Sequence, residues 1–240
     1  MATQTILVIT HYGIFITLFS IIAAFLLIQI KRAEKIARPL LFSLYIYFLF
    51  LTIANVFQMF KYIETYALGQ PYLYDQKVSS LMLTFFAAAA PILLIFQVED
   101  KFLREIKIFS RYHVFFAINV ISLTVIIISA IIMGITDPTS LMNVGVTTFG
   151  PYVLPLHIAV LVFVIATFGL LALKSTGKYR TYAFLIALGW TINQILNAFH
   201  QFLPGALLND VTTTIIFIGK YIGMIVTAVG FYKLYSLQKY

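Results

Sequence analysis

Hydrophobic residues gather in long runs along this chain, and the charged residues collect in the short gaps between them. A helix rises about 1.5 Å per residue and the hydrocarbon core of a bilayer is about 30 Å thick, so about 20 mostly apolar residues suffice to cross it. The runs that meet this requirement lie near 5–30, 39–62, 79–98, 113–135, 151–173, 181–203 and 211–234. The pattern predicts an all-α fold, a seven-transmembrane helix bundle built as a single integral membrane domain over residues 1–240.

The gaps then assign sides, because Lys and Arg in short loops are retained on the cytoplasmic face. Gap one holds Lys31, Arg32, Lys35 and Arg38, gap three Lys101, Arg104, Lys107 and Arg111, and gap five Lys174, Lys178 and Arg180, while Lys233 and Lys239 follow the last run. The even gaps offer only Lys61 and Lys77, set against Glu64, Asp75, Asp137 and Asp210. The expected topology has the N-terminus outside and the C-terminus cytoplasmic, in a multi-pass protein of the cell (plasma) membrane. The net charge of +8 is accounted for by this asymmetry. It is not a nucleic-acid footprint, which needs a clustered basic face on a soluble domain.

Composition agrees, with 62% hydrophobic and 10% charged residues. The first apolar run lacks a basic leader and a small-residue cleavage pattern and is too long for a signal peptide, so it is expected to remain as a helix. Cysteine is absent, which excludes disulfides and thiolate-bound metal or iron–sulfur centres. The gap from Glu99 to His113 is patterned as an interfacial extension of helix three, with Phe102, Leu103, Ile106 and Phe109 interleaved with the four basic residues of that gap. Ala87–Ala90 followed by Pro91, and Gly219 with Gly223 at GxxxG spacing, predict close helix approach and read as packing devices ahead of hinges, although Pro91 frees a carbonyl that can bend helix three.

Polar groups within hydrocarbon are costly, so those that occur point to function. All eight carboxylates fall in gaps or at predicted helix ends, which speaks against a proton pump or cation-coupled transporter. Lys220 is the exception to a charge-free interior, about ten residues into helix seven. Helical periodicity puts Phe217, Gly223 and Met224 on its face and turns Ile218, Ile222 and Ile225 to lipid. Seven helices, an outside N-terminus and a lysine on the last helix resemble the microbial rhodopsins. That resemblance implies retinal bound to Lys220 as a Schiff base. The rhodopsin pattern places an acidic counterion four residues before the lysine, where this chain has Ile216. The alternative is a lysine that snorkels or bonds to polar groups on helix six.

Helix six is the most polar run, with Trp190, Thr191, Asn193, Gln194, Asn197, His200 and Gln201 in one half. Asn193, Asn197 and His200 form a stripe at helical spacing, and Trp190 sits one turn deeper on the same side. Either the stripe holds the bundle together by interhelical hydrogen bonds, or it lines a ligand pocket together with Lys220. His11, His157 and His200 share a depth, and three imidazoles suit zinc, copper or haem iron if their helices converge.

From helix two onward the order of features is similar to the seven-helix sensory region of bacterial and archaeal histidine kinases. The residues concerned are "FQMFKYIETY", "AAAAPILLIFQVED", the loop "GITDPTSL" and "KSTGKYRTYAFLIALGW" before the polar sixth helix, spanning about 39–236. The resemblance implies a receptor-like sensor in the lipid bilayer, recognising a small or lipidic ligand. Such kinases continue into an effector, whereas this sequence ends at Tyr240, so a separate cytoplasmic signalling partner is expected. The competing expectation is a structural or redox subunit of a larger membrane complex, binding haem or a metal through the histidines and seated among other membrane subunits. A lipid-directed enzyme lacks a mid-depth carboxylate, a recognisable Ser–His pair and a cysteine nucleophile.

Overall fold

The computed structural model describes residues 2–33, 35, 38–63, 82, 85–87, 89–102, 111–136, 165–202 and 210–237. Among these the chain is helical, with no strand. The principal helices are α1 (Ala2–Arg32), α2 (Arg38–Tyr62), α3 (Ile92–Phe102), α4 (Val114–Thr136), α5 (Ile165–Lys174), α6 (Gly177–Phe202) and α7 (Asp210–Ser236). Three stretches are long and apolar enough to cross a membrane, Ile9–Arg32, Arg38–Phe60 and Asp210–Leu234, and two shorter apolar stretches are Val114–Val125 and Ile165–Lys174. At 26 residues α6 has the length to cross but not the uniform apolar character, because Thr191, Asn193 and Gln194 interrupt it. The boundaries of α1, α2, α4, α6 and α7 fall within a few residues of those the apolar runs predict, whereas α3 begins at Ile92, well inside the run expected over 79–98. Residues 151–164 of the fifth run and 103–110 of the patterned third gap lie outside the described residues.

The helices fall into two compact units, Met1–Val160 and Leu161–Tyr240. In the first, α1 and α2 form an antiparallel hairpin: the ends meet where Arg38 Nε donates to the carbonyl of Ala33 (2.9 Å), and farther along Phe19 meets Phe48 with ring centroids 5.9 Å apart. That bond satisfies one of the carbonyls a helix C-terminus leaves without an internal donor. The aromatic run of α2 divides between interior and surface. Tyr47 and Phe48 are buried and Phe42 and Phe60 exposed, while Phe50 and Phe57 both pack on Phe86. Pro91 interrupts helix three, which the apolar run predicts as one helix over 79–98. Ala90 and Pro91 form a turn, and α3 starts afresh with the Ile95 N–H donating to the Pro91 carbonyl.

In the second unit Ser175 and Thr176 separate α5 from α6, and Gly177 opens α6 in a left-handed conformation (φ 59°) that a side chain would strain. α6 and α7 then pack along their lengths. Leu196 meets Gly219, Asn193 meets Lys220, Gly189 meets Gly223, Ile186 meets Gly230 and Tyr179 meets Leu237. Rising numbers on one helix against falling numbers on the other make the pair antiparallel. A Cβ on Gly189 would lie 2.5 Å from both the Gly223 carbonyl oxygen and the Thr227 hydroxyl, and one on Gly223 would lie 2.8 Å from the Gly189 carbonyl oxygen. The backbones themselves are in contact there. Small residues permit this approach, and within lipid close packing, not the hydrophobic effect, drives helix pairing. The GxxxG reading thus identified the right helix but only half the seam: Gly223 is in it, with Gly189 and Gly230 as further members, whereas Gly219 faces only the flexible tip of Leu196.

Gly189→Ala and Gly223→Ala are expected to destabilise the protein by about 1–3 kcal/mol through overpacking against backbone. Gly13→Ala and Gly169→Ala, where nothing lies within 4 Å of the added carbon, should be neutral or raise stability by up to about 1 kcal/mol. Thermal unfolding followed by circular dichroism in detergent separates the two pairs by the sign of the change.

Candidate functional site

α7 presents one side to the protein interior. Thr213, Ile216, Phe217, Lys220, Met224 and Thr227 are buried, and Ile218, Ile222 and Ile225 are exposed. This is the division that helical periodicity predicts, and it puts Lys220 inside, at 6% exposure. A charged group at the centre of a bilayer costs about 3 kcal/mol on insertion scales, so a lysine at this depth requires partners. Its ammonium lies 5.1 Å from the centroid of the Phe217 ring, one turn away, within the range of a cation–π contact. Among the described residues no carboxylate is within ion-pair distance of it. The second unit holds a single acidic residue, Asp210, ten positions earlier on the same helix and therefore about 15 Å away along its axis.

α6 brings two of the expected residues to this side. Asn193 is buried and its Nδ2 donates to the main-chain carbonyl of Lys220 at 3.5 Å, tying the middle of α6 to the middle of α7. Trp190, one turn before Asn193, is buried as well, and its ring meets Phe231 edge-on at 6.0 Å, while Phe231 meets Phe168 of α5 at 5.1 Å. Three helices thus meet in an aromatic contact, with Phe231 eleven positions and so about 16 Å along α7 from Lys220. Thr191 takes no part, since its hydroxyl donates back to the Ala187 carbonyl of its own helix. Thr227 likewise donates to the Gly223 carbonyl within the seam. The candidate site is accordingly the α6/α7 interface around the buried Lys220, with Phe217 beside its ammonium and the buried amide of Asn193 on its main-chain carbonyl.

The other expected site residues stand differently. Asn197 and His200 belong to α6, but their side chains lie outside the described residues. His157 lies outside them altogether, so the histidine trio is not assembled by what is described. His11 is buried in α1 of the first unit.

One buried acid was not legible as such. Glu99, read as part of a charged gap, is fully buried in α3 and reaches the start of α4. Its Oε1 accepts the Phe115 N–H at 2.7 Å and its Oε2 the Phe116 N–H at 3.2 Å. These are N–H groups that a helix start leaves without internal acceptors and that a capping side chain normally takes. His113 occupies the capping position in a left-handed conformation (φ 43°), its ring tilted 33° against that of Phe96 with centroids 4.6 Å apart and its Nδ1 3.9 Å from Glu99 Oε2. Glu99 therefore supplies from a neighbouring helix the cap that His113 does not.

No family model, curated protein or solved structure matches the chain.

Burial pushes the Glu99 carboxyl above the ordinary glutamate range, against the opposing pull of the two N–H groups and of His113. A raised acid favours folding most below the ordinary value, and that contribution is lost as pH rises through the folded-state value. The thermal midpoint should therefore fall on going from about pH 4.5 towards neutrality, and Glu99→Gln should remove this dependence. Melting curves of both proteins across that range check it, and parallel curves would assign the slope to other groups.

Proposed function

We propose that the chain is a seven-helix, receptor-like membrane sensor, with its N-terminus outside and its C-terminus cytoplasmic, that binds a small or lipidic ligand beside α6 and α7 and transmits the change to a cytoplasmic partner. The observation that carries this reading is the joint burial of Lys220, Asn193 and Trp190 in a unit whose other buried polar side chains, among the described residues, are the threonines Thr167, Thr213 and Thr227. Packing alone does not call for a cation there: a methionine would fill similar space without the cost of desolvation. The antiparallel α6/α7 pair also supplies a transmitting element. A ligand that alters the contact at Asn193 acts on the same seam that continues to Gly230 and to the Tyr179 hydroxyl, which donates to the Leu237 carbonyl.

Basic residues in alternate gaps support the topology. Because the chain has no native cysteine, single cysteines report sidedness directly. Lys35→Cys and Thr176→Cys should react with a membrane-impermeant maleimide only in inverted vesicles, and Asp75→Cys and Ser140→Cys only from outside intact cells. The reverse pattern would overturn the orientation. For the site, lipid extract added to the purified protein should raise its melting temperature, a ligand at a hundred times its Kd contributing about 2.7 kcal/mol. Asn193→Ala and Trp190→Ala should lose most of that rise, and an equal rise in all three proteins would remove the pocket.

A second reading, a structural, haem-binding or metal-binding subunit of a larger membrane complex, draws on His11, an imidazole buried within a membrane-length apolar helix. A Soret band or stoichiometric metal in the purified protein, lost on His11→Ala, would favour it over the sensor. A retinal-type absorption band abolished by Lys220→Arg would favour the rhodopsin-like alternative.

A further inference from the structure

We infer that Lys220 anchors the head of a monoanionic amphiphile, a molecule with a single carboxylate on a long apolar body such as a fatty acid. The inference rests on the sensor reading and adds the chemical class of its ligand. Three observations on the second unit carry it. First, Lys220 is more than nine-tenths buried and, among the described residues, has no carboxylate in ion-pair reach. Such a cation is stabilised by an anion that enters with the ligand. Secondly, Lys220 is the one buried Lys or Arg among the described residues of the second unit: a phosphate dianion would remain half-compensated in a medium of low dielectric, whereas one carboxylate balances it. Lysine, a compact point charge with three donors, suits a small anionic head and lacks the fork by which arginine grips phosphate.

Thirdly, the surroundings are apolar. The Phe217 ring lies against the ammonium at 5.1 Å, and Ile216 and Met224 share its buried face. Asn193 spends its Nδ2 on the Lys220 carbonyl, which fixes the α7 backbone at the point from which the lysine projects. A ligand here must therefore combine one negative charge with an apolar remainder. Ile218, Ile222 and Ile225 leave the adjoining face of α7 open, consistent with lateral entry from lipid.

The chain contains its own reporter, because Trp190 is its sole tryptophan and lies one turn from Asn193. The protein in phosphatidylcholine liposomes is titrated with cis-parinaric acid, whose absorption overlaps tryptophan emission, and with its uncharged methyl ester. The wild type should show saturable quenching of Trp190 by the acid. Lys220→Met should weaken it at least about tenfold, Lys220→Arg should retain it within about threefold, and the methyl ester should bind the wild type at least about tenfold more weakly than the acid. Melting curves of both variants establish that they fold, and retention by the arginine variant separates loss of charge from loss of structure. Equal binding of acid and ester, or undiminished binding to a folded Lys220→Met protein, overturns the charge anchor while leaving a neutral-ligand sensor intact. Absence of saturable quenching by either probe overturns the anchor too, and the lipid-extract stabilisation lost in Asn193→Ala then decides separately whether the sensor reading survives.

Discussion

The contact of α6 and α7 backbones at Gly189 and Gly223 is the constraint on which the rest of the second unit depends. With no side chain on either residue the helix axes come close enough for Asn193 to reach the carbonyl of Lys220 across the interface. That closeness fixes the rotation of α7 about its axis, and the rotation decides that Lys220 points into protein and Ile222 out of it. In a bilayer a helix gains nothing from turning leucine away from lipid, so rotation is set by small residues and by polar groups that need partners. Both act here on the same side of α7, and they agree.

A parallel device operates in the first unit, by electrostatics instead of packing. A helix start carries partial positive charge on N–H groups that have no internal acceptors. Glu99 meets two of them at the start of α4 and fastens α3 to α4. The two units thus use different means to the same end: each joins neighbouring helices through main-chain groups, one by bringing backbones together and the other by reaching a backbone with a carboxylate.

What the sequence made legible follows from periodicity. Apolar run length located α1, α2, α4, α6 and α7, and three- and four-residue steps sorted the faces of α7 correctly around Lys220, whereas the break at Pro91 within the third run was not foreseen. The burial of Trp190 with Asn193 followed from the same reasoning on α6. The failures are long-range. Nothing local distinguishes Glu99 from its exposed neighbour Asp100, since its burial depends on where the start of α4 lies in space. A GxxxG spacing likewise cannot say which glycine meets backbone. That depends on the partner helix, whose contribution at this point, Gly189, is a lone glycine with no motif of its own.

The central claim is that the Lys220 face of α7 is turned into protein and away from lipid. Single nitroxide labels placed in turn at 217, 218, 220, 222, 224 and 225 of the cysteine-free chain, in liposomes, report it through collision with dissolved oxygen, which concentrates in the bilayer. The account predicts high oxygen accessibility at 218, 222 and 225 and low accessibility at 217, 220 and 224. Accessibility at 220 equal to that at 222 would contradict it.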